Sequence, residues 1–534
     1  MSFNIDALSL EDLAGQVLCP DIYPTDDPAE VEKMIKKSKP GGLFMIGMTK
    51  EQIKMYTDMA NKYTKVPVII ASDVENGPEI VIKGSGTVPK LMACGAADDP
   101  EIMEEAGEII AELCRENGVH WTFSPVVDIN YNFRSPSTNN RSASDDPDHV
   151  IKISGALVKG LEKKGYMAAC PKHFPAGGCD DRNPHFCTVV CDMTQEEWLN
   201  TYGRVHKTMI DANVGSIMIA HCALPAFEKE CDPVLGCPPA VLSKSLLTDL
   251  LRNKLGFKGC IVSDAMSMVG ACAMCPPEKL AITFLNAGGD VVLFNEKNDN
   301  ERIVSAVKSG ELPLERLKDA VGHMIALKEK VGLIGKEVTV VKETKRDIKE
   351  VAQIIADKSI SLVRNCENII PFDKEKMEHK GKVLFVNVVD LRQKQEPTGH
   401  EFDAMKDEFE KNGYTVDVLT TPKHREINEI VDNYDAVLVN YHMAVDNYHG
   451  GTNRVGWNNV FHFWRGYILR SPRIVCTSFG DPYRLYDIPF AKTYINAYSC
   501  TDESQRATAK VIMGKIPALG KSPVELKGYF KREV

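Results

Sequence analysis

Residues 167–185 read M-A-A-C-P-K-H-F-P-A-G-G-C-D-D-R-N-P-H, and the change of character inside them decides the fold. The first four are apolar and small, as a strand buried on both faces requires. From Lys172 to His185 the chain turns polar, with two histidines, a lysine, an arginine and two aspartates among glycines and prolines. A buried strand that empties into such a loop is how barrel folds present chemistry: rigid strands hold still what the loops at one rim carry.

The same alternation recurs on both sides. Strand-like runs fall at 16–19, 42–46, 67–71, 119–123, 167–170, 216–220, 260–262 and 290–294, eight in all. Amphipathic stretches, at 100–117, 148–164, 195–213 and 243–254 among others, separate them. The first has Asp98 and Asp99 as caps, Pro100 in its opening turn and Gly118 just past its end, the usual start and stop signals of a helix. Eight such β-α alternations predict an α/β fold, an N-terminal (β/α)8 TIM-like barrel over residues 1–335. The first strand is the least marked, and a seven-stranded or locally reversed barrel would leave the same trace. Polar residues gather after the strands: Ser72-Asp73, Lys172-His173, His221 and Ser263-Asp264. In a parallel barrel all four groups face one rim.

Beyond the barrel the chain turns charged (Lys342, Glu343, Lys345, Arg346, Asp347), which predicts a linker over 336–360. Apolar runs at 383–389, 436–440, 473–478 and 492–497, with helical stretches at 403–412 and 501–513, predict a smaller α/β sandwich with a mostly parallel sheet over 361–534. The pair Gly450-Gly451 is too little for a phosphate cradle.

Composition bounds the function. The chain has 534 residues, 43% of them hydrophobic and 26% charged, with a net charge of −10. That balance argues against nucleic acid or an anionic membrane surface as a partner. No basic, then apolar, N-terminal leader is visible and no run of about 18 apolar residues occurs. The sixteen cysteines are scattered, several inside apolar runs (Cys94, Cys170, Cys260, Cys476), and so read as reduced, buried small hydrophobes. Cys187 with Cys191, Cys231 with Cys237 and Cys272 with Cys275 lie closer together, but a zinc site wants two well-spaced pairs. Neither a metal nor a cofactor is expected, and the expected compartment is the cytoplasm.

The motifs carry a resemblance. Lys172-His173-Phe174-Pro175, the glycine-rich loop and His185 resemble the K-H-F-P-G-x-G, four residues, D-x-H signature of glycoside hydrolase family 3, in its β-N-acetylglucosaminidase branch. Ile261-Val262-Ser263-Asp264 is similar to that family's nucleophile segment, Ala71-Ser72-Asp73-Val74-Glu75-Asn76-Gly77 to its D-x-E-x-G segment, and Arg141-Ser142 with Asp145-Asp146-Pro147 to its R-S-F-x-x-D-P segment. The stretches from Thr477 to Tyr483 and from Ile516 to Lys521 resemble its second domain. The resemblance implies a retaining exo-β-glycosidase acting on terminal N-acetylglucosamine-type sugars, with a small carbohydrate as its substrate. A homodimer is compatible with it.

Chemistry and resemblance meet at particular residues. A retaining glycosidase needs a carboxylate at the anomeric carbon and a proton donor on the leaving oxygen. Asp264, at a strand end, fits the nucleophile; its plainer reading is a helix N-cap. The resemblance places the acid/base on His185, whose side chain titrates near neutrality; its plainer reading is a loop histidine. It also implies sugar-binding roles for Asp73, Arg141, Lys172, His173 and His221, the last of which reads equally well as a satisfied core histidine. Two positions depart from the pattern. Asn183 stands where the family has the aspartate that tunes the histidine, and an amide supplies no charge. Ala176 replaces a glycine, at a cost if the backbone there is left-handed. Asp180 and Asp181 are alternative partners for His185. Three other readings stay open: a phosphorylase on the same scaffold, a sugar-binding protein with a weakened acid, and a proton donor from the second domain, where His442, Asp446 and His449 are candidates.

Overall fold

The computed structural model describes residues 3–335, 346–389, 400–420, 430–442 and 471–534. These residues form two compact units. One holds Met1–Thr87, Pro100–Asn132 and Val150–Ile348; the other holds Val88–Asp99, Phe133–His149 and Lys349–Val534. Asp446, His449, the Gly450-Gly451 pair and the charged residues Lys342, Glu343 and Lys345 lie outside the described residues.

In the first unit the strands are short and parallel. They are β1 (Leu18–Cys19), β2 (Asp21–Ile22), β3 (Gly42–Met45), β4 (Ile69–Ser72), β5 (Trp121–Thr122), β6 (Val189–Val190), β7 (Ser216–Ile219), β8 (Cys222–Ala223), β9 (Cys260–Ser263) and β10 (Val292–Leu293). β2, β3, β4 and β5 pair in that order. Trp121 of β5 bridges to Ala168, Phe174 bridges to Ile219 of β7, β7 pairs with β9, and Val262 bridges to Val291. β10 then pairs with β1. The ring closes in parallel throughout, so neither a seven-stranded nor a reversed barrel describes it. The weak first strand has a physical cause. Pro20 divides it into β1 and β2, one paired with β10 and the other with β3, because proline brings no N–H to a ladder. The fifth strand makes single bridges only, yet its groups are paired: Ala168 donates to His120 and Cys170 to Ser124. Trp121, Phe123, Met218 and Val262 fill the barrel interior.

The expected helix at 100–117 spans Pro100–Glu116, and that at 148–164 spans Pro147–Glu162. The expected helix at 195–213 is two, Gln195–Asn200 and Tyr202–Asp211, broken at Thr201. The break serves packing. A side chain at Gly203 would meet the Trp198 ring at 2.8 Å, and Trp198 Nε1 and the Tyr202 hydroxyl reach out to the carbonyls of Pro175 and Gly177. The bend therefore ties the start of the 172–185 loop to a buried helix pair.

The second unit is built on one six-stranded sheet of β11 (Ser361–Asn365), β12 (Lys382–Val389), β13 (Thr415–Thr420), β14 (Ala436–His442), β15 (Ile474–Ser478) and β16 (Thr493–Asn496). Its order is β11-β16-β15-β14-β12-β13, antiparallel only between β11 and β16. Helices Asp403–Lys411 and Asp502–Ile512 cover one face over Phe385, Leu438 and Val475. Arg532 pairs with Asp145, and the Ser144 hydroxyl donates to Pro523, so the 133–149 segment is fastened to the chain's last residues.

Fourteen cysteines are free, most of them buried. The expectation of reduced thiols fails at one pair: Cys231 and Cys237 are joined, closing a short exposed loop. Among the described residues no helix is long and apolar enough to cross a membrane.

Candidate active site

Because every barrel strand runs the same way, the residues just past the strand ends lie on one rim. Asp73 follows β4, Lys172 and His173 follow the fifth strand, His221 follows β7 and Asp264 follows β9. Lys172 is buried, 3% exposed, a position an ammonium tolerates only with partners. Its Nζ lies 2.7 Å from Asp73 Oδ1 and 2.8 Å from Glu75 Oε1.

His173 is held twice by Asp128. Its backbone N–H donates to Asp128 Oδ1 at 2.9 Å and its Nδ1 meets Oδ2 at 2.8 Å. Its Nε2 lies 3.9 Å from Asp264 Oδ2. His221 is fully buried, and its Nε2 donates to the Ala265 carbonyl at 2.9 Å. Burial lowers its pKa, and the nearby Asp264 charge and the Ala265 carbonyl offset this only in part. Burial alone would push the Asp264 carboxyl up. His173, His221, Lys172 and the Ala265 N–H outweigh it and hold the carboxyl below the ordinary value, ionised across the neutral range.

His185 reaches Asn183. Asn183 Oδ1 accepts from the His185 backbone N–H at 3.0 Å and lies 2.7 Å from its Nδ1. An amide oxygen accepts only, so Nδ1 carries a hydrogen. Asp180 does not take this part, being engaged by Arg182 and the Val190 N–H; Asp181 is exposed. The loop is fastened to the segment that follows Asp264: Gly270 donates to the Pro184 carbonyl and Val269 to that of His185, each at 3.2 Å. Gly270 permits that approach, since a Cβ there would stand 2.7 Å from the Pro184 oxygen and 2.8 Å from the His221 Cβ. Past His185 the chain pairs as β6 with β8, directly after His221. Asp264, His221 and His185 are thus linked by one run of backbone hydrogen bonds.

The remaining positions sort plainly. Arg141 belongs to the other unit, where its Nη1 donates to the Ser137 carbonyl at 2.8 Å. His442 closes β14 in that unit, its ring 6.5 Å from that of Phe402. The expected cost at Ala176 is absent. Ala176 is buried without a left-handed backbone, and the positive φ of 83° falls on Gly178. The glycine that matters for space is Gly177, where a Cβ would stand 2.4 Å from the Asp128 carboxylate. Asp128 and Glu75 were not assigned roles from sequence. Asp128 stands five residues beyond the apolar run 119–123, a longer lag than at Asp73 or Asp264.

Among the described residues, one cluster has the residue types of a metal site: Asp290, Asp319 and His323. Arg252 and Arg316 both pair with Asp290, however, and two guanidiniums on one carboxylate satisfy it as an ion-pair network and repel a cation.

The comparisons with known proteins agree with this geometry. The profile described as glycosyl hydrolase family 3 N terminal domain matches residues 9–327. A beta-N-acetylglucosaminidase/beta-glucosidase of Cellulomonas fimi is 28% identical over 531 residues, covering 96% of this chain and 93% of its own. A beta-hexosaminidase of Methylobacillus flagellatus is 29% identical over 299 residues, 54% of this chain and 83% of its own. Among solved structures, a beta-glucoside phosphorylase superposes with a TM-score of 0.85 at 27% identity over 98% of this chain and 94% of the other. A glycoside hydrolase family 3 beta-N-acetylglucosaminidase from a Paenibacillus species superposes with a TM-score of 0.82 at 25% identity over 99% of this chain and all of the other.

Proposed function

The chain belongs to glycosyl hydrolase family 3, and on that premise we propose that it is a retaining exo-β-glycosidase that removes terminal β-linked N-acetylglucosamine-type sugars. Asp264 attacks the anomeric carbon. The C1–O bond to the leaving group breaks as the Asp264 ester forms, and His185 passes its Nε2 proton to the departing oxygen. Water then attacks C1, gives a proton back to His185, and releases the sugar and the Asp264 carboxylate. Asn183 orients His185. Asp73, Lys172, His173 and His221 bind sugar hydroxyls. Residues 1–335 would act as the catalytic barrel, 336–360 as a connection and 361–534 as a second domain.

The observation that carries this reading is the setting of Asp264: a carboxylate held ionised at a barrel-strand end, just ahead of the Val269 and Gly270 N–H groups that bind the loop bearing His185. The choice of sugar is supported by the names of the Cellulomonas fimi and Methylobacillus flagellatus relatives. The fourteen free cysteines support the cytoplasm as the compartment; neither nucleic acid nor a membrane enters the reading, and any self-assembly would be a homodimer.

A second reading has its own support. With an amide beside His185, an incoming phosphate meets one carboxylate fewer than it would beside an Asp-His pair, and one of the solved relatives is a phosphorylase. One panel separates the cases: aryl β-N-acetylglucosaminide against aryl β-glucoside, with and without inorganic phosphate. Hydrolysis of the first at a rate indifferent to phosphate supports the main reading. Phosphate-dependent turnover giving a sugar 1-phosphate supports the second. Sugar binding without turnover would leave a binding protein and contradict both.

A further inference from the structure

We infer that Asp128 is a positioning residue for the glycosylation step, fixing the His173 ring so that its Nε2 edge is held against Asp264. The inference rests on the reading of Asp264 as nucleophile and adds a residue that neither the motifs nor the relatives' names assign.

Asp128 is 1% exposed, and a carboxylate at that depth is retained only where partners satisfy it. Its two oxygens take the backbone N–H and the ring Nδ1 of His173, at 2.9 and 2.8 Å. Two contacts to one residue fix the backbone and the ring torsions together, leaving the imidazole one orientation. A carboxylate, unlike an amide, cannot turn a donor toward the ring, so Nδ1 donates to Asp128 and the Nε2 edge faces Asp264.

The carboxylate is itself held. Gly177 presses on it so closely that a Cβ would stand 2.4 Å from both Cγ and Oδ2. The Tyr202 hydroxyl clasps the two flanks of that contact, bonding the Gly177 carbonyl at 2.7 Å and the Ile129 carbonyl at 3.2 Å. Across the ring, Nε2 to Asp264 Oδ2 is 3.9 Å, beyond hydrogen-bond length but close enough for charge to act. The groups around Asp264 are His173, His221, Lys172 and the Ala265 N–H, with the Cys170 thiol also in range. Those around His173 are Asp128, Asp264, His206 and His221.

The test uses the full chain and a dinitrophenyl β-N-acetylglucosaminide, whose departure needs little acid help. For Asp128→Asn we expect kcat/KM to fall about tenfold, with kcat carrying most of the loss and KM nearly unchanged, and Asp128→Glu to recover part of it. In combination with His173→Gln the second change should add little, because the two residues act as one unit. Losses that multiply in the double variant, or a loss in Asp128→Asn carried by KM alone, would overturn the inference, since a packing role is independent of the His173 ring. If Asp128→Asn does not fold, Gly177→Ala displaces the carboxylate while keeping its charge: a fall in kcat that His173→Gln does not deepen supports the inference, and an unchanged kcat overturns it. Absence of wild-type turnover, or full activity in Asp264→Asn, would instead sink the reading of Asp264.

Discussion

His173 and His185 each turn Nδ1 to a side-chain oxygen, Asp128 Oδ2 at 2.8 Å in one case and Asn183 Oδ1 at 2.7 Å in the other, and each donates its backbone N–H to that same side chain. The geometry is nearly the same; the charge is not. Beside Asp264 the barrel uses a buried carboxylate to hold a histidine. On the loop that carries the proposed acid it uses a neutral amide. Orientation and charge are therefore separable in this protein. An amide fixes which ring nitrogen faces the chemistry as well as a carboxylate does, and leaves the proton affinity unassisted.

The largest effect is expected at the nucleophile. Asp264→Asn should lower turnover of an activated aryl glycoside by about 10³-fold or more, because no other residue is proposed to form the ester. Steady-state rates on the dinitrophenyl substrate check this. Next in size is the acid. His185→Ala should cost about 10²-fold or more with a poor leaving group such as methylumbelliferone's less acidic analogues, and only a few-fold with dinitrophenol, so a plot of log kcat/KM against leaving-group pKa should steepen. A flat plot would remove His185 from the role.

Smaller effects sharpen the contrast of partners. Asn183→Asp restores a charge at the amide position, which favours protonated His185. The basic limb of kcat/KM should rise by about one unit or more, and turnover of unactivated substrates above neutral pH should increase about tenfold. The acidic side follows from Asp264 itself. Its folded pKa lies below the ordinary carboxylate value, so the ionised nucleophile persists as pH falls and is lost only below that value. The wild-type acid limb should accordingly lie below about pH 4 on the activated substrate, provided the fold survives, which circular dichroism at each pH would establish.

The barrel was legible in the sequence because its strands are buried on both faces and read as apolar runs, each followed within a few residues by polar groups. The split at Pro20 and the break at Thr201 were not, since both arise from pairing and packing rather than local pattern. In the second sheet the interior strands were visible, whereas β13 was not: it is an edge strand whose Thr415 and Asp417 face solvent. The site divides in the same way. Asn183 and His185 are two residues apart, and their contact was foreseeable. Asp128 and His173 are 45 residues apart and meet only because two strands bring them together. Cys231 and Cys237 looked like two more reduced thiols, and only the turn between them joins them.

The central claim is that Asp264 becomes covalently bonded to the sugar. A slowly released fluorinated N-acetylglucosaminyl donor, incubated with the wild-type protein and followed by peptide mass spectrometry, tests it directly. The account predicts one added glycosyl mass on the peptide containing Asp264, absent in Asp264→Asn. A glycosyl adduct on any other residue, or inactivation without an adduct in a protein that turns over the ordinary substrate, would contradict it.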